Sequence, residues 1–187
     1  MDYKTELIGI IKERSYQCSD EPIYKLASGG VSKFYFNMKK TTMSPDGMFI
    51  IGKLIFEKIK ELGLSPDGIG GLTLGADPIA YAVAGHSYQM KEPIKAFVIR
   101  KEPKGHGLML PVEGNVDPGN HVVIIDDVVT TGGSTIKAIK AARDFGLIVD
   151  AVIVLIDRCE QNGRQNIEAL DCAVHDILNI RDFLPSH

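Results

Sequence analysis

The stretch Val122-Val-Ile-Ile-Asp-Asp-Val-Val-Thr-Thr-Gly-Gly-Ser-Thr135 decides how the rest of the chain is read. Four β-branched residues form an apolar run of buried-strand character. The run passes directly into two acids, then into a turn rich in hydroxyls and glycine. Glycine allows tight turns in which consecutive backbone N–H groups converge on an anion, and a helix that follows adds the positive end of its dipole. Thr130, Thr131, Ser134 and Thr135 supply further donors. The segment therefore reads as a phosphate cradle. Asp126 and Asp127 stand about one turn earlier, where a carboxylate is repelled by phosphate unless it faces a sugar or a metal; carboxylates accept strongly from vicinal hydroxyls. A ribose 5-phosphate fits both halves. The plainer reading, a solvated strand end and an ordinary turn, accounts for the loop's composition but not for the full order of strand, acid, acid, loop and helix.

Outward from this stretch, apolar runs at 69–74, 94–99, 122–125 and 148–156 alternate with helical segments. That is the pattern of parallel strands joined by helical crossovers, and it predicts a doubly wound α/β core with ligands at the carboxyl ends of the strands. Asp77-Pro78 supplies an N-cap and N1 pair for a helix running toward Gly85, and the helix after the cradle would turn Ile136, Ile139, Ala142 and Phe145 inward. Nearer the start, Leu7, Ile8 and Ile11 share one side of a helix. Ser44-Pro45 opens another, with the stripe Met48, Ile51, Ile55, Ile59 and Leu62, ended by Gly63. Residues 23–26 and 34–38 read as a small hairpin about Ser28-Gly29-Gly30. No repeat or linker intervenes, so the expectation is a single domain over 1–187, with a hood at roughly 1–40 and a core at roughly 41–187.

Composition narrows the function classes. The 187 residues are 44% apolar and 24% charged, enough for a self-sufficient core. Against 24 Asp+Glu stand 21 Lys+Arg, leaving a net charge of -3 and no basic surplus for a nucleic-acid backbone. Cys18, Cys159 and Cys172 form no C-x-x-C pair, which fits reduced thiols in a cytoplasm. The stretch 1–6 has no basic n-region and the longest apolar run, 151–156, is too short to cross a bilayer, so neither signal peptide nor membrane span is expected. There is no G-x-x-x-x-G-K-[ST], and in Gly68-Ile-Gly70-Gly-Leu-Thr73 a threonine replaces the third glycine of the dinucleotide fingerprint. His86, His121, His175 and His187 show no metal-ligand spacing.

The segment 122–135 resembles the motif by which type I phosphoribosyltransferases hold 5-phospho-α-D-ribose 1-diphosphate (PRPP). The resemblance implies their fold, a doubly wound, mostly parallel sheet with a small N-terminal hood. It implies that Asp126 and Asp127 meet the ribose hydroxyls, that Thr130, Thr131, Gly132, Gly133, Ser134 and Thr135 wrap the 5-phosphate, and that Val128 and Val129 also belong to the PRPP site. Arg100-Lys-Glu-Pro-Lys-Gly-His-Gly107 then gains meaning. Alone it is a solvated charged loop, continuing to Gly119 through a stretch too broken by Pro and Gly for regular structure. Its spacing, Arg-Lys-x-x-Lys-x-His, is similar to the catalytic loop of orotate phosphoribosyltransferases. The resemblance implies that Arg100, Lys101, Lys104 and His106 bind PRPP, that Lys104, His106 and Asp127 are catalytic, and that the 100–119 loop enters a partner subunit's site in a homodimer.

Further pieces match the same family. Lys33-Phe-Tyr-Phe-Asn-Met38 resembles its aromatic hood, with Tyr35 and Phe36 against the pyrimidine, although an amphipathic strand explains it equally. Arg158 falls where the family binds the orotate carboxylate, with Thr130 also at the base. Thr73-Leu-Gly-Ala76 looks like the loop that receives pyrophosphate through backbone N–H groups. Leu74 and Ala27 stand where some members carry lysine; Lys33, Lys39 and Lys40 are the nearby cations able to compensate, each otherwise a solvent-facing lysine. The implied reaction is Mg2+-dependent transfer of ribose 5-phosphate from PRPP to orotate in pyrimidine biosynthesis. Mg2+ is carried on PRPP's own oxygens near Asp126 and Asp127, with no direct protein ligand. Two alternatives stay open: transfer to another base, and a PRPP-binding regulator without turnover.

Overall fold

A computed structural model describes residues 2–25, 29–101 and 111–184. The chain opens with α1 (Tyr3–Arg14), N-capped by Asp2, which accepts from the Lys4 N–H at 3.1 Å; Leu7 and Ile11 are its buried residues. Four short strands follow: β1 (Tyr16–Cys18), β2 (Tyr24–Lys25), β3 (Val31–Ser32) and β4 (Phe34–Phe36). The expected hairpin is corrected here, because β4 pairs antiparallel with β1 while β2 pairs with β3. Packing decides the exchange. The Tyr16 ring lies 5.1 Å from Phe36 and 5.4 Å from Phe183, so β1 brings β4 an aromatic surface on which to settle.

A single turn, α2 (Lys39–Thr42), leads to α3 (Pro45–Glu61). Ser44 is extended and its hydroxyl accepts from the Gly47 N–H at 3.3 Å, with Pro45 in the first turn, as its sequence predicts. Ile51, Ile55 and Ile59 are buried with Ile50 and Phe56, and Met48 and Leu62 flank the stripe half-buried. Then come β5 (Gly68–Leu72), α4 (Asp77–Gln89), β6 (Lys95–Ile99), β7 (Val112–Gly114), β8 (His121–Val129), α5 (Gly133–Phe145), β9 (Ile148–Asp157), α6 (Gly163–Glu168) and β10 (Val174–Asn179), with a closing 3-10 turn Ile180–Phe183.

Strands β10-β9-β8-β5-β6-β7 form one sheet, parallel throughout except for β7. Two expectations are corrected. The helix after β5 is capped at Ala76, not Asp77, and runs through Gly85 to Gln89; Asp77 instead accepts the Thr73 hydroxyl at 2.6 Å. The stretch beyond residue 107 does contain regular structure, because Val112–Gly114 completes the edge beside Phe97–Ile99. Along β8, Val123 and Ile125 join the core under α1, α3 and α4, while Val122 and Ile124 join the core under α5 and α6. This alternation has period two. Strand order reverses between β5 and β8, and at such a switch point the loops at the carboxyl ends part to leave a crevice.

Candidate active site

Two adjoining clefts lie in that crevice. One, of about 230 Å³, is lined by Val128, Val129 and residues 130–134 on one side and by Lys25, Tyr35, Phe36 and Arg158 on the other. The second, of about 390 Å³, is lined by Lys39, Leu72, Thr73, Leu74, Gly75, Lys101 and Asp127, and the two share Asp126 and Ser134. The cradle is built as its composition predicts. Gly132 adopts φ +79°, and a Cβ there would come within 2.8 Å of the Gly163 carbonyl, so glycine is required both for the turn and for the approach of α6. The first turn of α5, whose N–H groups a helix leaves without intrahelical partners, begins at Gly133 on the cleft wall. Asn166 Nδ2 donates to the Thr131 carbonyl at 2.9 Å and holds the outer edge.

The two adjacent acids differ in their partners. Asp126 follows Val122 and Ile124 toward α5, is 7% exposed, and accepts the Thr135 hydroxyl at 2.7 Å and the Asp127 N–H at 3.0 Å. Thr135 is thereby corrected from phosphate donor to buried partner of Asp126. Asp127 stands against Gly75, with its carboxylate beside that of Asp126; a Cβ at Gly75 would stand 2.7 Å from Asp127 Oδ1. Burial, then the charge of Asp127, raises the Asp126 pKa above the ordinary carboxylate value. Burial raises Asp127 as well, opposed by the Val128 N–H at 2.9 Å and by the nearby positive charge of Lys39.

The loop after β5 donates less than its sequence suggests. The Thr73 N–H goes to the Ile99 carbonyl at 2.8 Å and its hydroxyl to Asp77. Ala76 is fully buried, its N–H directed at the Leu72 carbonyl at 3.4 Å, so it is removed from the expected anion-binding set. The N–H groups of Leu74 and Gly75 remain for a ligand, next to a cis Thr73–Leu74 peptide.

At the other end Arg158 is 4% exposed. Its Nη2 donates to Ser32 Oγ at 2.7 Å and to the Phe34 carbonyl at 3.2 Å, and lies 2.9 Å from Glu160 Oε2. Its Nε is buried with no protein acceptor among the described residues. A buried donor left open beside a cleft is costly unless a ligand completes it. Tyr35 and Phe36 face the same space; Tyr35 stacks on Tyr24 at 5.7 Å, and the guanidinium carbon of Arg158 lies 6.0 Å from the Phe36 ring centre.

Comparison with known proteins agrees with this geometry. Residues 41–183 match the phosphoribosyl transferase domain family. An orotate phosphoribosyltransferase of Aquifex aeolicus is 46% identical over 97% of this chain and 97% of its own length. The chain belongs to the orotate phosphoribosyltransferase family. Among solved structures, a phosphoribosyltransferase of Corynebacterium diphtheriae superposes with TM-score 0.81 at 30% identity, covering 97% of this chain and 98% of that one. The orotate phosphoribosyltransferase of Mycobacterium tuberculosis in complex with PRPP gives TM-score 0.75 at 27% identity over 98% and 93%.

Within this family's framework, most of the expected site converges. Asp126, Asp127, Val128, Val129, Thr130, Thr131, Gly132, Gly133, Ser134, Tyr35, Phe36, Arg158, Lys101, Thr73, Leu74 and Gly75 all line the paired clefts. Arg100 does not: its guanidinium pairs with Glu113 at 3.1 Å and lines a neighbouring cavity with Lys137. Lys104, His106 and Ala27 lie outside the described residues. Three residues that no sequence pattern marked also take part, Lys25 on a cleft wall and Ser32 and Glu160 on Arg158, and of the three lysines offered as compensating cations Lys39 lines the second cleft. Ser32 and Glu160 had no local signal, being joined only through the fold.

Proposed function

We propose that this chain transfers the 5-phosphoribosyl group of PRPP to N1 of orotate, giving orotidine 5'-phosphate and pyrophosphate in pyrimidine biosynthesis. The observation that carries the reading is the pairing, across one cleft, of the 130–134 anion cradle with the unpartnered Nε of buried Arg158. The cradle suits the 5-phosphate, and the arginine suits the carboxylate that distinguishes orotate from uracil. Tyr35 and Phe36 line the cleft on the side suited to the pyrimidine, and Thr130 lines it on the side of the cradle.

Departure of pyrophosphate leaves an oxocarbenium-like ribose, so the work of the site is positioning and charge stabilisation, and no side-chain nucleophile is required. Asp127, on the far wall beside Gly75, is suited to the ribose hydroxyls, and Asp126 is held by Thr135 behind it. Among the described residues no group of three or more acids, histidines or cysteines can hold a metal. Asp126 and Asp127 suit Mg2+ as an ion that PRPP's own oxygens would carry past them, with water between the ion and the carboxylates. When bound there, Mg2+ neutralises diphosphate charge. By family resemblance Lys104 and His106 meet the leaving pyrophosphate, with Lys101 on the wall beside it. The exposed apolar side chains Phe49 and Tyr81, which line one groove with Met48, support a homodimer in which the 100–119 segment serves the partner's site. We place the enzyme in the cytoplasm, as one domain of hood and core.

The test mixes protein, PRPP and Mg2+ with orotate, following loss of orotate absorbance and release of pyrophosphate; adenine, hypoxanthine and uracil are run in parallel. Turnover confined to orotate is expected. Turnover of another base redirects the base assignment, and PRPP binding without pyrophosphate release from any base establishes a regulator instead.

A further inference from the structure

We propose that Lys39 is a diphosphate-binding residue, supplying the positive charge that the loop after β5 lacks. The inference rests on reading the second cleft as the diphosphate side of the site. That cleft has a charge problem. Its walls carry the carboxylates of Asp126 and Asp127, and the loop opposite contributes only the N–H groups of Leu74 and Gly75, because the Thr73 N–H and hydroxyl and the Ala76 N–H point into the protein. The Leu74 side chain is apolar and 53% exposed. A diphosphate entering between two acids needs cations, and among the described residues that line the cleft these are Lys39 and Lys101.

Lys39 is well placed to be a fixed cation. It opens α2, and α2 is pinned to the core on both sides. Met38 is 2% exposed, the Asn37 N–H donates to the Ser15 carbonyl at 2.8 Å, and buried Thr41 shares a 2.7 Å hydrogen bond with buried Ser15. Its backbone cannot drift, while its side chain reaches the cleft. Its ammonium is close enough to favour ionised Asp127. Lys33 and Lys40, the other cations of this region, do not line either cleft. Lys39 thus stands between a carboxylate and the incoming anion, able to meet both.

Calorimetric titration of the purified full-length protein with inorganic pyrophosphate, with PRPP and with ribose 5-phosphate tests this. Lys39→Ala and the length-preserving Lys39→Met are expected to weaken pyrophosphate and PRPP binding by about tenfold or more, the scale of one lost charge-assisted hydrogen bond. Ribose 5-phosphate, which lacks the diphosphate, is expected to stay within about twofold, as is every ligand for Lys40→Ala. Adding Leu74→Lys to Lys39→Ala places an ammonium on the opposite wall and is expected to recover pyrophosphate affinity. The proposal is overturned by pyrophosphate binding within about twofold of wild type in both Lys39 variants, by an equal loss for ribose 5-phosphate, or by no recovery in the double variant. Failure of wild type to turn over orotate while still binding pyrophosphate removes the base assignment and leaves this inference standing; wild-type turnover with undiminished pyrophosphate binding in the variants removes this inference alone.

Discussion

Removal of the Arg158 side chain isolates the base-recognition half of the site. Its Nη2 is committed to Ser32, Phe34 and Glu160, and among the described residues neither Nε nor Nη1 donates to an acceptor, so these two nitrogens remain for the carboxylate. A hydrogen bond to a charged group contributes about 1.5–3 kcal/mol, so a carboxylate held by two such bonds gains about 3–6 kcal/mol. Glu160 already neutralises part of the guanidinium, which places the expected loss at the lower end, and about 3 kcal/mol corresponds to roughly 10²-fold. Arg158→Ala is therefore expected to raise KM for orotate by about two orders of magnitude, with PRPP affinity nearly unchanged. Arg158→Lys keeps the charge without the planar fork and should recover only part of the loss. The assay is initial-rate orotate absorbance at saturating PRPP, with uracil as the carboxylate-free comparison. Uracil, for which no wild-type turnover is expected, should stay without turnover in the variant. A folded Arg158→Ala protein whose orotate KM stays within about threefold of wild type refutes the assignment.

Three other perturbations probe the rest of the site. Burial and the charge of Asp127 raise the Asp126 pKa above 3.8, so the folded protein keeps a proton that the unfolded chain releases. The stability tied to that proton is full below the unfolded pKa and declines as pH rises toward neutrality. Asp126→Asn, neutral throughout, should flatten the fall of Tm between about pH 4 and 8, and an unaltered profile would contradict the buried-acid reading. Gly75→Ala puts a Cβ 2.7 Å from Asp127 Oδ1 and 2.9 Å from its Cγ. Displacing that carboxylate should lower kcat/KM for PRPP on the order of 10²-fold, with only a small change in Tm, and steady-state kinetics alongside thermal melts separate the two. Tyr81→Glu puts charge on a half-exposed apolar face, and sedimentation should show monomers with lost turnover; an active dimer would move the interface elsewhere.

What could be read without coordinates was local in the chain. The Ser44-Pro45 helix start is a short-range rule, and the cradle after Ile125 is a contiguous pattern, so both stand where they were expected. The short strands at 24–25 and 34–36 were legible but their pairing was not, and Tyr16–Cys18 and Val112–Gly114 were missed, because they exist through partners that only tertiary packing supplies. Adjacent acids look equivalent in one dimension. Their partners tell them apart: the hydroxyl that fixes Asp126 comes from a residue on the following helix, while Asp127 stands against Gly75. The partners of Arg158 were hidden for the same reason, since Ser32 reaches it across 126 positions.

The guanidinium that faces the base cleft is also the bolt that fastens β3 and β4 to the end of β9. Recognition and mechanical attachment are therefore stored in one side chain. A lineage exploring a different nucleobase would have to exchange this arginine and, in the same step, find a new fastening for the hood. The intermediate with only the first change is both unselective and loosened. Such a two-step requirement makes base preference slow to drift, and it directs any redesign to rebuild the Ser32 and Phe34 anchorage before the arginine is touched.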